Sequence, residues 1–438
     1  MRVRRFAVLA PTVLGLAVAP PALAQDPPPQ TGFEQRVAAT PSGADPVPWT
    51  TLDEEAAFLA AVDAGTDRVA VEEVGRSAQG RPLLLARVGE PAPPGPEAAA
   101  GGRVVLFTCS QHGDEPAGRE GCLQRLRDLA YSSDPAVAEH LRTTTVLFLS
   151  ANPDGRAADT RENAQGIDIN RDHLDPVSPE GQLIERLIRD WRPDVVADMH
   201  EFSSRPLYDP ELLFLWPRNR NVDERVRGLS VALSRDYVAA GAAAAGFSTG
   251  VYGISVLDGV EVAQDAGDED ERILRNVAGL RGSVGLLVET DTSANRRNPE
   301  EEGDRIAVQR RRVATHVQAI GDVLRFQREE APEIEATTEA AGERHAARTG
   351  PFYLDGADNR LPSIDDVLYP PPCAYDVTAT EAERLASTFA LHGIRSEPRG
   401  GDVRVPLAQP AQPLIPLLLD PAAEFAPVTS GRRVASCA

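Results

Sequence analysis

Lysine is absent from this 438-residue chain, so all 45 basic residues are arginines. That absence excludes a Schiff-base mechanism and the lysine of a phosphate-binding loop. Positive charge is scarce as well: 66 acidic residues outweigh the arginines and set the formal charge at −21. Such a chain is repelled by phosphate backbones and anionic lipid, which argues against sequence-independent binding to nucleic acid or a membrane surface. Past the N-terminus no apolar run is long enough to span a bilayer, and no repeat at a solenoid period is visible. The length excludes a mini-protein that depends on staples.

Cysteine is sparse too. The four are Cys109, Cys122, Cys373 and Cys437. An even number in an exported chain suggests disulfides, and sequence proximity favours Cys109 with Cys122 and Cys373 with Cys437 among three possible pairings. Free thiols are the alternative. Export itself is read from the first residues: Arg2, Arg4 and Arg5 precede an apolar run over 6–19, and Ala22-Leu23-Ala24 offers the small residues of a cleavage site. Residues 1–24 are therefore expected to be a signal peptide, faintly of the twin-arginine kind, for a secreted or periplasmic protein.

Proline and glutamine dominate 25–30, within an expected N-terminal linker over 25–50, and Pro, Gly and Ala make 91–102 a loop. Between them the pattern predicts a helix over 53–62 and a strand-turn-strand over 70–88. From 103 onward short apolar runs alternate with amphipathic stretches: 104–109, 117–129, 144–150, 180–191, 195–199, then a strand over 284–288 and a surface helix over 305–328. This alternation predicts an α/β sheet covered by helices. The expected division is a catalytic domain over 51–330, a linker over 331–350 and a smaller C-terminal α/β unit over 351–438. In that unit Thr378 and Glu381 form a capping-box signature for a helix stopping at Gly393.

The polar residues that could do chemistry fall where apolar strands end, which is where open α/β sheets place ligands. After Cys109 come His112 and Glu115, three positions apart and able to face one cation. The strand over 195–199 delivers His200, followed by Glu201, a possible rim residue. Two imidazoles and a carboxylate would make a three-ligand site with an open fourth position, as hydrolytic zinc requires. Asn152-Pro153-Asp154-Gly155 reads as a turn, and Arg161 and the run Asp168-Ile169-Asn170-Arg171 follow in a polar loop. Glu289 stands at the end of the strand over 284–288, where burial beside a metal would tune it as a general base. Arg275-Asn276 reads as helix surface, with substrate contact as the alternative.

The ordered set His112-x-x-Glu115, Asn152-Pro153-Asp154-Gly155, Arg161, Gly166-x-Asp168-x-Asn170-Arg171, His200 and Glu289 resembles the zinc carboxypeptidases of the M14 family. Val74-Gly75-Arg76-Ser77-x-x-Gly80-Arg81-Pro82 resembles the segment that precedes that family's sheet. The resemblance implies a mixed central sheet flanked by helices and one zinc ion per chain on His112, Glu115 and His200. It implies Glu289 as the base for zinc-activated water and Arg161 as the oxyanion stabiliser. Asn170 and Arg171 would hold the substrate's terminal carboxylate, with Asp168 orienting His112 and Tyr252 as a substrate-binding tyrosine. The implied partner is a peptide with a free C-terminus.

The resulting expectation is a secreted zinc metallocarboxypeptidase. The short spacing from Asn152 to Arg161 keeps open an amidase on peptidoglycan stem peptides, or a deacylase of acyl amino acids, with the same metal and base. A non-catalytic peptide-binding protein on the same scaffold predicts erosion of a reactive set that is here complete. A cysteine hydrolase built on Cys109 and His112 leaves Glu115, His200 and Glu289 without tasks.

Overall fold

A computed structural model describes residues 27–41, 43–99, 103–203, 210–257, 260–263, 268–293 and 304–437. The expected signal peptide lies outside the described residues. Among the described residues, ten strands precede the C-terminal unit: β1 (Val69–Arg76), β2 (Pro82–Val88), β3 (Arg103–Cys109), β4 (Thr144–Ser150), β5 (Val195–Phe202), β6 (Leu212–Leu215), β7 (Thr249–Val251), β8 (Ile254–Leu257), β9 (Val260–Ala263) and β10 (Val284–Asp291). Eight of them form one mixed sheet in the order β1-β2-β4-β3-β5-β10-β6-β7, and β8 pairs with β9 alone. The neighbours β4, β3, β5 and β10 run parallel, so their carboxyl ends share one edge.

Alternation along β3 sorts its side chains onto two cores. Val105 and Phe107 pack with Leu123 and Leu126 of the helix Pro116–Ala130 and with Ile320 and Val323 of the helix Arg305–Glu329. Val104 and Leu106 face Ile184 and Leu187 of the helix Pro179–Trp191 and Leu274 of the helix Leu274–Leu280. Both faces are buried, which is why the parallel strands are unbroken apolar runs.

The C-terminal unit carries a four-stranded antiparallel sheet. Its Tyr375, Val405 and Leu417 share one apolar cluster with Leu174, Val222, Leu280 and Ala341 of the preceding chain. Disulfides join Cys109 to Cys122 and Cys373 to Cys437. A bonded Cys109 has no thiolate to offer, which removes the cysteine-hydrolase reading.

Four segments differ from expectation. Residues 331–346, read as linker, form the helices Ala331–Glu339 and Ala341–Ala346; their alanine and glutamate favour helix, and Ile334 and Ala341 dock on neighbouring cores. Within 25–50 lies the helix Gly32–Ala39, started by a Thr31/Glu34 capping box, and within 91–102 the short helix Pro96–Ala99. The expected helix up to Gly393 breaks into Ala379–Arg384 and Ala386–His392, with Gly393 closing the second at φ 68°.

Candidate active site

His112, Glu115, His200 and Glu289 meet at the carboxyl edge of the parallel strands. His112 follows β3, and Glu115 stands at the N-terminal cap of the helix Pro116–Ala130. His200 lies within β5, and β10 sets Glu289 beside it in register. The ligand atoms of His112, Glu115 and His200 lie within 4.8 Å of one another, and no other such cluster of three or more metal-ligating side chains occurs among the described residues. Nδ1 of His112 is 2.7 Å from Glu115 Oε1; Nδ1 of His200 is 2.8 Å from Glu115 Oε2 and 3.0 Å from His112 Nδ1. Groups rich in lone pairs converge so closely only around shared positive charge, a proton or a metal ion.

The far side of each imidazole is also fixed. Asp168 Oδ1 is 3.1 Å from His112 Nε2, and Asp198 Oδ2 is 2.7 Å from His200 Nε2. A carboxylate at the far nitrogen keeps a proton there and turns the near nitrogen's lone pair inward. Burial opposes charge on both rings, yet Glu115 and Asp168 raise His112, and Asp198 and Glu115 raise His200 well above the ordinary imidazole range. Two nitrogens, each oriented from behind, and a carboxylate suit a borderline cation such as zinc.

Asp198 was not singled out in the sequence. It is fully buried and also accepts from Thr108 Oγ1 at 2.8 Å and Gln111 Nε2 at 2.7 Å. The signal was there: residues two apart on a strand share a face, which puts Asp198 and His200 together.

Glu289 is 7% exposed, and its Oε2 has no hydrogen-bond partner among the described residues. Burial pushes it up to about 8, with Glu115 adding to the rise and the nearby His200, His112 and Arg161 charges opposing it. A desolvated acceptor with a spare lone pair suits proton transfer. Tyr252 packs on Phe202 and Leu213, and its hydroxyl is pushed up first by the Glu289 charge and then by burial, so it stands near Glu289.

Arg161 donates to Asp168 Oδ2 at 2.9 Å and 3.1 Å, and its Nη1 lies 3.2 Å from His112 Nδ1. Burial works against charge on Asp168, but the His112 hydrogen bond and the His112 and Arg161 charges outweigh it and hold the carboxyl below its usual range. The loop that carries Arg161 is clamped by the lead-in segment: Ser77 Oγ, Gln79 N and Arg81 all donate to Asp154. Asn152-Pro153-Asp154-Gly155, read as a turn, instead starts the helix Pro153–Ala158, with Asn152 as its cap. Gly113 rests directly on this helix; a Cβ there would fall 1.9 Å from the Gly155 carbonyl carbon.

The two residues expected to hold a carboxylate separate. Arg171 is partly exposed, 3.4 Å from Asp270 Oδ2. Asn170 is 4% exposed and its amide is committed, donating to Asp198 Oδ2 at 3.1 Å and accepting from Leu274 N at 2.9 Å. It braces the ligand shell in this structure. Two other readings change. Glu201 is buried, paired with Arg312 at 2.7 Å and accepting from Ala117 N, so it lies off the rim. Arg275 and Asn276 are interior, 1% and 0% exposed, since the helix Leu274–Leu280 is covered on all sides. Burial lowers Arg275 to about 10, within range of the Tyr252 and Arg171 charges.

Comparison with known proteins converges on one group. Residues 56–209 match the family model described as zinc carboxypeptidase. Carboxypeptidase 2 of Trichophyton tonsurans is 33% identical over 193 residues, covering 41% of this chain and 35% of that protein. Carboxypeptidase 2 of Trichophyton rubrum is 34% identical over 191 residues, with the same coverage of each chain. The match thus spans about a third of the length of these fungal relatives. A metallo-carboxypeptidase from Pseudomonas aeruginosa, solved with (2-guanidinoethylmercapto)succinic acid, aligns over 66% of this chain and 70% of its own at 21% identity and a TM-score of 0.50, which shows a shared fold.

Proposed function

From a chain whose residues 56–209 belong to the zinc carboxypeptidase family M14, we propose a secreted zinc metallocarboxypeptidase that removes the C-terminal residue of a peptide. The observation that carries this reading is the convergence of the His112, Glu115 and His200 ligand atoms within 4.8 Å, with Glu289 in register beside His200. Zinc, when bound by these three residues, would supply a Lewis acid for the scissile carbonyl and make water a better nucleophile.

The protein's own groups do the rest. Glu289 takes the proton of the attacking water and hands it to the departing amine, so base becomes acid within one cycle. Arg161 donates to the oxygen on which negative charge develops, where a fixed donor is worth most. Arg171 grips the substrate's terminal carboxylate through parallel N–H groups, and a chain continuing past that point would collide with it. Asp168 and Asp198 hold the imidazoles from behind, Asn170 braces Asp198, and Tyr252 closes on the substrate beside Glu289.

Export is supported by the two disulfides, which persist in oxidising compartments. We take 51–330 as the catalytic unit and 351–438 as a smaller unit docked on it. The test is digestion of a mixed peptide library by the protein lacking residues 1–24. Single C-terminal residues should be released, release should stop with a chelator and return with zinc, and C-terminally amidated peptides should be spared. Amine release that survives the chelator would overturn the reading, and release from cell-wall stem peptides alone would assign the amidase chemistry.

A further inference from the structure

A second concave site lies away from the metal cluster. A cavity of about 760 Å³ opens between the start of the helix Glu224–Ala232, the helix Ala341–Ala346 and the strand Phe352–Tyr353. In a chain of net charge −21 its wall is basic: Arg220, Arg227 and Arg348 all line it. Among the described residues, none of the three is paired with a carboxylate. Arg220 donates to Ala357 O at 3.0 Å, Arg348 to Asn221 O at 3.1 Å and to Pro351 O, and Arg227 only distantly, to Val222 O at 3.3 Å and Asn219 O at 3.5 Å.

A guanidinium carries more N–H groups than these carbonyls take. Arg220 Nε is buried with no partner among the described residues. Arg220 stacks over the Tyr353 ring and Arg348 over Phe352, which fixes both planes. The acids at the wall are largely spent: Asp223 is bound by Arg344 through two bonds of 2.7 Å and 2.8 Å, and Asp358 by Arg218 and Trp216 at 2.7 Å each. Glu224 is exposed at the mouth. Burial holds Arg227 and Arg348 below the ordinary arginine range; the Asp358, Glu224 and Asp223 charges oppose this at Arg227 while the Arg220 charge adds to it, and at Arg348 the Tyr353, Asp223 and Glu224 charges oppose it while the Arg227 charge adds to it.

Three guanidinium forks, two of them fixed in plane by ring stacking and none in an ion pair among the described residues, match the tetrahedral oxygens of a phosphate. We propose that this cavity binds a phosphate group, as inorganic phosphate or as the head of a phosphate monoester. The anion would bridge the loop after β6 to the helix Ala341–Ala346 and the C-terminal unit, and so stabilise their docking.

The test titrates inorganic phosphate and, separately, glycerol 3-phosphate into the metal-free full chain by calorimetry. At least one should saturate a single site with a Kd below about 10 mM and raise the melting temperature, and the tighter of the two identifies the source. Arg220→Gln and Arg227→Gln should each weaken binding about tenfold or more, while Arg171→Gln, outside the cavity, should leave it unchanged. Should Arg227→Gln fail to fold by circular dichroism, Arg227→Lys keeps the charge without the fork and should still weaken binding. No saturation by either anion, or equal binding by wild type and the Arg220 and Arg227 variants, would overturn the proposal.

Discussion

Glu289 and His200 are paired in register on the parallel strands β10 and β5, and Oε2 of Glu289 is buried without a hydrogen-bond partner among the described residues. A carboxylate held this way contributes little to the fold and is free to exchange a proton at the cluster. Glu289→Gln keeps the shape and removes the basicity. It should retain zinc at wild-type stoichiometry by metal analysis and lose kcat by about 10²–10⁴-fold. Wild-type turnover in this variant would show that the base lies elsewhere.

Asp198 and Asp168 do the same task for different histidines, with one difference that can be measured. Asp198 is enclosed by His200, Gln111, Thr108 and Asn170, whereas Asp168 also receives Arg161. Asp198→Asn and Asp168→Asn should each weaken zinc binding by about 10–100-fold in competition with a chelator. At saturating zinc, Asp168→Asn should still lower kcat because Arg161 loses its anchor, while Asp198→Asn should recover more fully.

The parallel strands and their end residues were readable because buried parallel strands are continuous apolar runs: the predicted 144–150 is β4, and 195–199 and 284–288 fall inside β5 and β10. The metal cluster was readable for the same reason, since each candidate ligand follows or ends such a run. What escaped were features set by tertiary contact. Asn152 looked like a turn residue because Asn-Pro-Asp-Gly is turn-like, and only its bonds to Gln111 O and Gly155 N make it a cap. Glu201 and Arg275 looked exposed because charge usually is; the burial of Glu201 depends on Arg312, far away in sequence, and that of Arg275 on how the loop before Leu274 folds back over it. The docking helices over 331–346 have too little amphipathic contrast for the pattern to declare a buried face.

Arg171 and Asn170 are adjacent in sequence but separate in environment, and their variants should separate too. Arg171 is partly exposed, and if it grips the substrate carboxylate as proposed, Arg171→Ala should raise KM about 10–100-fold for peptides with a free C-terminus and change kcat little. Asn170 is committed to Asp198 and Leu274 N, so Asn170→Ala should lower zinc affinity and thermal stability more than it raises KM. Steady-state kinetics on matched free-acid and amide peptides, with melting curves, distinguish the two.

His392 ties the C-terminal unit to the body of the protein, and it does so as a neutral ring. Its Nε2 donates to Leu174 O at 2.8 Å, and Nδ1 lies 3.8 Å from Glu185, which is already bound by Arg281 at 2.6 Å and His173 at 3.0 Å. Burial lowers His392 to about 4, with the Arg281 charge acting the same way and the Glu185 and Asp175 charges opposing it. In the unfolded chain the imidazole titrates near its ordinary value of about 6.5, so between about 6.5 and 4 the unfolded state binds the extra proton. The stability this residue contributes is therefore complete above that window and declines as pH falls through it, by on the order of 1–3 kcal/mol at its lower edge. His392→Gln, which can still donate to Leu174 O but does not titrate, should lose less stability than wild type between pH 7 and pH 4, as read from urea midpoints at each pH. Parallel pH curves for the two proteins would show that the proton goes elsewhere.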